Sequence, residues 1–471
     1  MKIALINIEK VFGAPPIGLS YLASYVKKYS NFKDIKIIDR ENPIKAIKKY
    51  KPDIIGIGAV SEQFYDAKEL AKELRKITKA PLILGGVHIT IKPLDLLKTN
   101  FDIGVMGEGE KIFLNLLNEY DKNKKFDLQN LKKIKGICFK DNERLIKTPR
   151  EELIEPLDSI PPIARELLKM KSFYLVPGRI GTKIGKKGTI MTSRGCPYHC
   201  VYCGSNTLFN KVRWHSAEYV VSEIEMLYKK YKVKHISIYD DLAIANKDRF
   251  RKIVELLEQK KLNKKIDFEI YARANIIDRE ICDLLKRLNA QTVCFGFESG
   301  SDKVLKYLKK NTVTVAQGLT AIKLCKEYNL NVVGYIMIGN PDETEEDLQK
   351  SFDFMLNPGI DLVQIYQTTP LPGTDLWEYA IKHKKIKESY YDEKHKTILK
   401  YNPDVLLTNK IDKDKFGIWY DKFIKTAIQK NISKKNLKLT LPDFIDCISI
   451  KFALKVFKNY KEALKQSKAI I

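Results

Sequence analysis

The sequence predicts an α/β protein made of two successive parallel sheets and a helical C-terminal region. Three observations carry this reading. From residue 1 to about 140, short β-branched runs alternate with amphipathic stretches. A proline-rich segment of mixed charge, 141–187, follows, with Pro149, Pro156, Pro161, Pro162 and Pro177. Six more strand-like runs then recur along residues 188–375. Buried strands separated by helices form parallel sheets, because each crossover helix covers a face of the sheet.

In the first region the expected strands are Ile3–Ile8, Ile35–Asp39, Ile54–Val60, Leu82–Gly86 and Ile103–Met106, with helices at Ile17–Tyr29 and Tyr65–Thr78. Several strands run into small or polar residues: Ser61, Gly85-Gly86-Val87-His88 and Gly107-Glu108-Gly109-Glu110. Ligands of doubly wound sheets bind outside these carboxyl ends. The second series has strands at Thr189–Thr192, His235–Tyr239, Phe268–Ala272, Thr292–Phe297, Val332–Ile338 and Val363–Gln367. Its helices include Tyr219–Lys230, Lys247–Gln259 and Glu345–Met355. Six βα units make part of a parallel barrel and leave one side open. Polar residues cluster after its strands, at Asp240-Asp241, Arg273 with Asn275, Glu298-Ser299, Gly339-Asn340 and Thr368-Thr369, which is the catalytic end of such a barrel. The domains are accordingly read as 1–140, a linker 141–187, a barrel 188–380, and a basic, mainly helical region 381–471.

A chain of 471 residues is long enough for two or three domains. Its eight cysteines form no disulfide framework, which fits a reducing cytoplasm. The N-terminus does not read as a signal peptide, and no apolar run is long enough to span a membrane. The net charge is +26, with 22 lysines against 10 acidic residues in 381–471 alone. Lysines scattered along the chain favour a solvated, heat-adapted surface over RNA binding. The basic C-terminal region also leaves room for contact with an anionic membrane surface.

The sharpest signal is Cys196, Cys200 and Cys203 in the string Cys196-Pro197-Tyr198-His199-Cys200-Val201-Tyr202-Cys203. Three thiolates on one loop can hold three irons of a cubane cluster, which normally takes four cysteines. The fourth iron is then open, and an open position on a metal signals chemistry. A structural zinc site is the other reading. It would need a fourth ligand, and neither His199 nor His215 completes a zinc-finger spacing. The remaining cysteines, Cys138, Cys282, Cys294, Cys325 and Cys447, read as small buried apolar residues.

The cysteine loop and its barrel, about residues 188–375, resemble the radical S-adenosylmethionine (SAM) superfamily. That resemblance implies a 4Fe-4S cluster on Cys196, Cys200 and Cys203, with SAM on the open iron. Reductive cleavage of SAM would yield a 5′-deoxyadenosyl radical that abstracts a hydrogen atom. The resemblance also implies SAM contacts at Tyr202 near the adenine, and at Asp240 and Asp241 toward the amino group. Arg273 would meet the carboxylate or ribose, Glu298 lies on another strand end, and Gly339 belongs to a G-x-I-x-G-like strand, Gly334 to Asn340. A reductant such as ferredoxin or flavodoxin is implied.

Residues 14–23, Ala-Pro-Pro-Ile-Gly-Leu-Ser-Tyr-Leu-Ala, resemble the P-P-x-G-L-x-Y-L-A signature of the cobalamin-binding domain often placed before this barrel. The resemblance implies a Rossmann/flavodoxin-like domain with cobalamin contacts at Pro15, Pro16, Gly18, Ser61, Gly85, Gly86, Gly107 and Glu108. The first loop, Glu9-Lys10-Val11-Phe12-Gly13, lacks the histidine of D-x-H-x-x-G corrinoid proteins. A lower face without histidine is therefore expected.

Together these resemblances imply cobalamin-dependent methylation of an unactivated carbon. Cyclisation, C–C coupling or lipid modification without methyl transfer is the alternative. RNA modification is more remote, since the chain has neither a second cysteine triad nor an all-β module after the barrel. The substrate, whether small molecule, lipid or peptide, is not legible.

Overall fold

The computed structural model describes residues 1–8, 15–170, 186–393 and 401–431. The first sheet comprises β1 (Ile3–Asn7), β2 (Ile35–Ile38), β3 (Ile54–Gly58), β4 (Leu82–Gly85), β5 (Ile103–Val105), β6 (Ile137–Asp141) and β7 (Arg144–Lys147). Their order is β2-β1-β3-β4-β5-β6-β7. The first five strands are parallel, and β6 and β7 close the edge as an antiparallel hairpin. The reversal from β1–β2 to β1–β3 puts the topological switch at β1, where such sheets bind ligands. Ile3, Leu5, Ile54, Ile83 and Ile103 pack on one face, with Ala23, Val26 and Phe113 from helices Ile17–Tyr29 and Gly109–Asn123. Ala4, Ile6, Ile55, Ile57 and Leu84 pack on the other face, with Phe64, Ala67 and Leu74 from helix Phe64–Arg75. Burial on both faces explains the nearly unbroken apolar runs.

The segment expected as a linker from residue 141 opens instead with β7, which extends the first sheet to Lys147. Its two adjacent half-buried residues, Leu145 and Ile146, show no period-2 alternation and so give a weak strand signal. Within the rest of it, Ile154, Leu157, Ile160 and Ile163 pack against Tyr21, and residues 171–185 lie outside the described ones.

The second sheet has β8 (Lys186–Ile190), β11 (Val233–Ile238), β12 (Asp267–Ala272), β13 (Ala290–Glu298), β14 (Asn331–Ile338) and β15 (Leu362–Gln367). A two-stranded ribbon, β9 (Ser193–Arg194) with β10 (Arg213–Trp214), leads into and out of the cysteine loop. The six strands are parallel and run in sequence order, a curled (β/α)6 half-barrel. Side chains alternate across it. Ile236, Ile238, Phe268, Ile270, Val293, Phe295, Val332 and Ile336 join the outer helical core. On the opposite face, Thr189, Ser237, Glu269 and Thr292 stand in register as one buried polar row. Helix starts are capped by Ser216, Asp278, Thr314 and Thr344, each accepting from a main-chain N–H three residues on.

Helix Lys413–Asn431 packs on β15, and Phe416 and Phe423 seal that side of the barrel. Asn431 closes the contact by accepting from the Val363 N–H at 2.9 Å. The expected helical C-terminal region is described only to this point; 394–400 and 432–471 lie outside the described residues. Among the described residues no helix is long and apolar enough to cross a membrane.

Candidate functional site: the cysteine loop and the facing sheet edges

The loop from Cys196 to Cys203 hangs between fixed points. Val201 donates its N–H to Leu308 O at 3.0 Å and accepts from the Leu376 N–H at 2.9 Å. A Cys203 N–H to Cys200 O turn at 3.1 Å draws two of the thiols onto one bend. All three cysteines are free and half-buried. Burial pushes the Cys196 thiol up, and the Cys203 thiol to about 11, so iron must displace their protons to bind them. Among the described residues no three His, Cys, Asp or Glu side chains converge as the ligands of a single ion would. In a cube each thiolate holds its own iron.

Arg273, after β12, donates to Cys200 Sγ at 3.0 Å. Its guanidinium lies 3.9 Å from the Tyr198 ring centroid. It also donates to Asn275 Oδ1 at 3.0 Å and to Thr312. Donors to a cluster sulfur and the charge beside it are levers on its potential. At the end of β13, Glu298 Oε1 accepts from Tyr202 Oη at 2.8 Å and from Lys309 Nζ at 2.9 Å. Burial, reinforced by the Glu298 charge, pushes the Tyr202 phenol far up, so it remains a donor.

Other expected SAM residues have different surroundings. Asp240 is buried, and its carboxylate accepts from Thr192 N–H, Thr192 Oγ1 and Ser193 Oγ. It ties the end of β11 to Thr192 and Ser193, just ahead of the cysteine loop, and burial pushes its carboxyl up. Its neighbour Asp241 is exposed and accepts from Ser205 Oγ at 2.6 Å. Gly339 has φ +86°, and a Cβ there would stand 2.9 Å from Phe416 Cζ. Helix Lys413–Asn431 therefore covers its Cα, leaving only main-chain atoms for a ligand.

On the first sheet, the edge facing this loop carries the glycines. A Cβ at Gly18, Gly85 or Gly107 would meet nothing within 4 Å. Gly86, at φ +101°, is different: a Cβ would lie 2.6 Å from Ala59 O. That turn needs glycine for the fold. Pro15 and Pro16 are buried, and Pro16 O accepts from the Ser20 N–H at 3.0 Å, starting helix Ile17–Tyr29. Ser61 is buried and lies 3.1 Å from His88 Nδ1. His88 is itself fully buried, stacked on Phe64 at 3.9 Å, with Nε2 3.3 Å from Asp95. It is part of the core and presents no ring nitrogen as an axial ligand. The loop 9–14 lies outside the described residues.

Glu108, expected among the cobalamin contacts, has its carboxylate engaged by two arginines. Its carboxylate accepts from Arg194 at 2.7 Å and from Arg213 at 2.6 and 2.8 Å. Glu110 takes the other arm of Arg194 at 2.6 Å. This buried clasp ties the β5 edge to β9 and β10, the two ends of the cysteine loop. The sequence reading missed Arg194, Arg213 and Lys309, and named Glu110 only as part of the turn after β5. The only signal was the position of Arg194, two residues before the first cysteine.

A family model for the radical SAM superfamily matches residues 190–355, and one for the B12 binding domain matches residues 3–117. The chain is 36% identical over 403 residues to the uncharacterized methyltransferase PH0819 of Pyrococcus horikoshii, covering 81% of this chain and 83% of that protein. The chain belongs to the cobalamin-dependent radical SAM methyltransferase family.

It is also 25% identical to the anaerobic magnesium-protoporphyrin IX monomethyl ester cyclase of Cereibacter sphaeroides, across 77% of this chain and 60% of that protein. Its fold is shared with TsrM, a radical SAM methyltransferase of Kitasatospora setae, at a TM-score of 0.66 and 18% identity, covering 82% and 76% of the two chains. The cofactors of this radical SAM enzyme are a 4Fe-4S cluster, SAM and cobalamin. The residues fit them. Three free thiols share one loop, a carboxylate and a guanidinium flank it, and the edge opposite has open Cα faces at Gly18, Gly85 and Gly107.

Proposed function

We propose that this protein transfers a methyl group to an unactivated carbon. The observation that carries the reading is the Glu108–Arg194–Arg213 clasp. It tethers the ends of the three-cysteine loop to the strand end of the B12 domain that carries Gly107, so the residues that would hold the two cofactors are tied together. When bound, the cluster and SAM supply a 5′-deoxyadenosyl radical, and cobalamin supplies a transferable methyl group. The chain's part is to hold and orient. Cys196, Cys200 and Cys203 anchor the cluster, with Arg273 beside one sulfur. Tyr202, Glu298, Arg273, Asp241 and the main chain at Gly339 flank SAM. Gly18, Gly85 and Gly107, with the helix start at Pro15-Pro16, leave room for the corrin.

The 36% relative, a methyltransferase in name, supports methyl transfer, and the cyclase relative supports the second reading, ring closure without it. An oxygen-labile cluster and seven free cysteines among the described residues suit a reducing cytoplasm and a ferredoxin- or flavodoxin-type donor. Anaerobic protein reconstituted with iron, sulfide and hydroxocobalamin, then given dithionite and SAM, tests the reading. Release of both 5′-deoxyadenosine and S-adenosylhomocysteine supports methyl transfer. 5′-Deoxyadenosine alone supports cyclisation or another rearrangement. Comparing small molecules, lipids and peptides of cells with and without the gene then finds the substrate by a one-methyl difference.

A further inference from the structure

The inner face of the half-barrel is open. On β14, Tyr335 and Met337 are partly exposed while Ile336 and Ile338 are buried; on β15, Gln364 and Tyr366 are partly exposed while Ile365 is buried. Tyr239 and Tyr271 repeat the pattern beside buried Ile238 and Ala272. Ile336, Ile338 and Ile365 belong to the outer helical core, so the exposure of the alternate residues comes from the lumen.

Four tyrosines form a belt along this face. Ring centroids are 6.3 Å apart from Tyr239 to Tyr271, 6.3 Å from Tyr271 to Tyr335, and 6.1 Å from Tyr335 to Tyr366. The Tyr271 and Tyr335 rings lie within 12° of parallel although β13 runs between their strands. That strand passes with small side chains: Cys294 is paired with Tyr271, and Gly296 with Tyr335. Cys294, Val333 and Leu362 pack against the two rings as an apolar cluster separate from the outer core. Burial pushes the Tyr335 phenol far up, so it stays neutral. The belt begins one alternation before Arg273, which donates to Cys200 Sγ, so it lies next to the cysteine loop.

The side of the lumen built from β8, β11 and β12 is polar. Ser237 stands there between Thr189 and Glu269. It is fully buried, and its hydroxyl has no hydrogen-bond partner among the described residues. An unpaired buried hydroxyl is costly, and it marks a place for a partner. The Glu269 carboxylate beside it already has Lys187 at 3.7 Å and His235 at 3.8 Å.

We propose that the lumen selects a flat aromatic substrate, laid against the Tyr271–Tyr335–Tyr366 belt with a hydrogen-bonding group turned toward Ser237. This role rests on the methyl-transfer reading above and names the class of molecule that would receive the methyl group. Aromatic rings gain from each other's faces and edges beyond the area they bury, and a saturated chain does not. A hydrocarbon chain would also leave Ser237 unpaired. An apolar wall with a few convergent polar groups is the usual design for orienting a small ligand.

Equilibrium dialysis of the reconstituted holoenzyme tests this with 2-naphthol, naphthalene and decahydro-2-naphthol, the saturated alcohol of the same skeleton. 2-Naphthol is expected to bind about tenfold more tightly than decahydro-2-naphthol. Tyr335→Leu should abolish that preference, and Tyr335→Phe should keep it. Ser237→Ala should weaken 2-naphthol about fivefold and leave naphthalene unchanged. No binding of 2-naphthol, equal binding of the two alcohols, or an undiminished preference in Tyr335→Leu overturns the proposal. If Tyr335→Leu does not fold, Tyr366→Leu decides by the same comparison. In parallel, the holoenzyme is given methyl-labelled SAM and an extract of cells lacking the gene. An aromatic labelled product supports the assignment. A labelled product without an aromatic ring overturns the substrate class and leaves methyl transfer standing. No labelled product overturns the methyl-transfer reading, and the proposal with it.

Discussion

Glu108, just beyond β5, and Arg213 on β10 meet through two hydrogen bonds of 2.6 and 2.8 Å across 105 residues of chain. The pair is almost fully buried, with 5% of the Glu108 side chain and 3% of the Arg213 side chain exposed. Desolvation opposes it, but the arginines on both sides hold the Glu108 carboxyl below its ordinary range.

Glu108→Ala should destabilise the protein by about 3–5 kcal/mol, because it leaves Arg194 and Arg213 buried without their shared counter-ion. Denaturant titration of the cofactor-free protein measures this. Arg213→Met in the same background should recover part of the loss, and a double-mutant cycle gives the coupling. Strictly additive effects would mean that the clasp is not a cooperative unit.

Cys200→Ala should drop iron well below the roughly four atoms per chain of the intact cluster and abolish 5′-deoxyadenosine release. His199→Ala, an exposed neighbour, should keep both. Iron analysis and chromatography of the products decide; a His199 variant that lost its iron would make histidine a ligand.

Gly85 and Gly86 are adjacent and should respond in opposite ways. Gly85→Phe projects into open space, so stability should hold while hydroxocobalamin binding, followed by its visible spectrum, is lost. Gly86→Ala places a Cβ against Ala59 O at φ +101° and should cost stability. Unchanged cobalamin binding by Gly85→Phe would move the corrin elsewhere.

Glu343, after β14, is fully buried and accepts from the N–H groups of Gly339 and Asn340. Burial pushes its carboxyl up to about 7. The folded state then keeps a proton that the unfolded chain releases near its ordinary value of 4.5. Stability therefore falls as pH rises from about 4.5 to about 7, by up to roughly 2–3 kcal/mol from this group. Glu343→Gln should flatten that slope relative to the parent. Parallel stability–pH curves for the two proteins would refute the assignment.

The first strand series was legible because burial on both faces of its sheet imposes runs of Ile, Val and Leu; the second was legible because short β-rich runs, apolar toward the outer helices, each end in a cluster of polar residues. The hairpin strand β7 was not, since Arg144–Lys147 is short, half-exposed and outside that pattern. Glu298 was found by its place after a strand. Asp240 stood at an equally good place, yet its carboxylate turns to Thr192 and Ser193. Position along a strand tells which end a residue occupies, and says nothing about which neighbour claims its oxygens.

The sequence by itself determined the cysteine triad, the six parallel barrel strands and the glycine turns. Each depends on spacing within a few residues or on a repeating burial pattern. Only the tertiary structure decided that Glu108 joins the two domains, that Lys309 pins Glu298, and that Phe416 covers Gly339. Those contacts pair residues from separate elements, and the choice of partner is made by burial. Once water is excluded a charge must find a counter-charge, and which one lies within reach is set by packing rather than by distance along the chain.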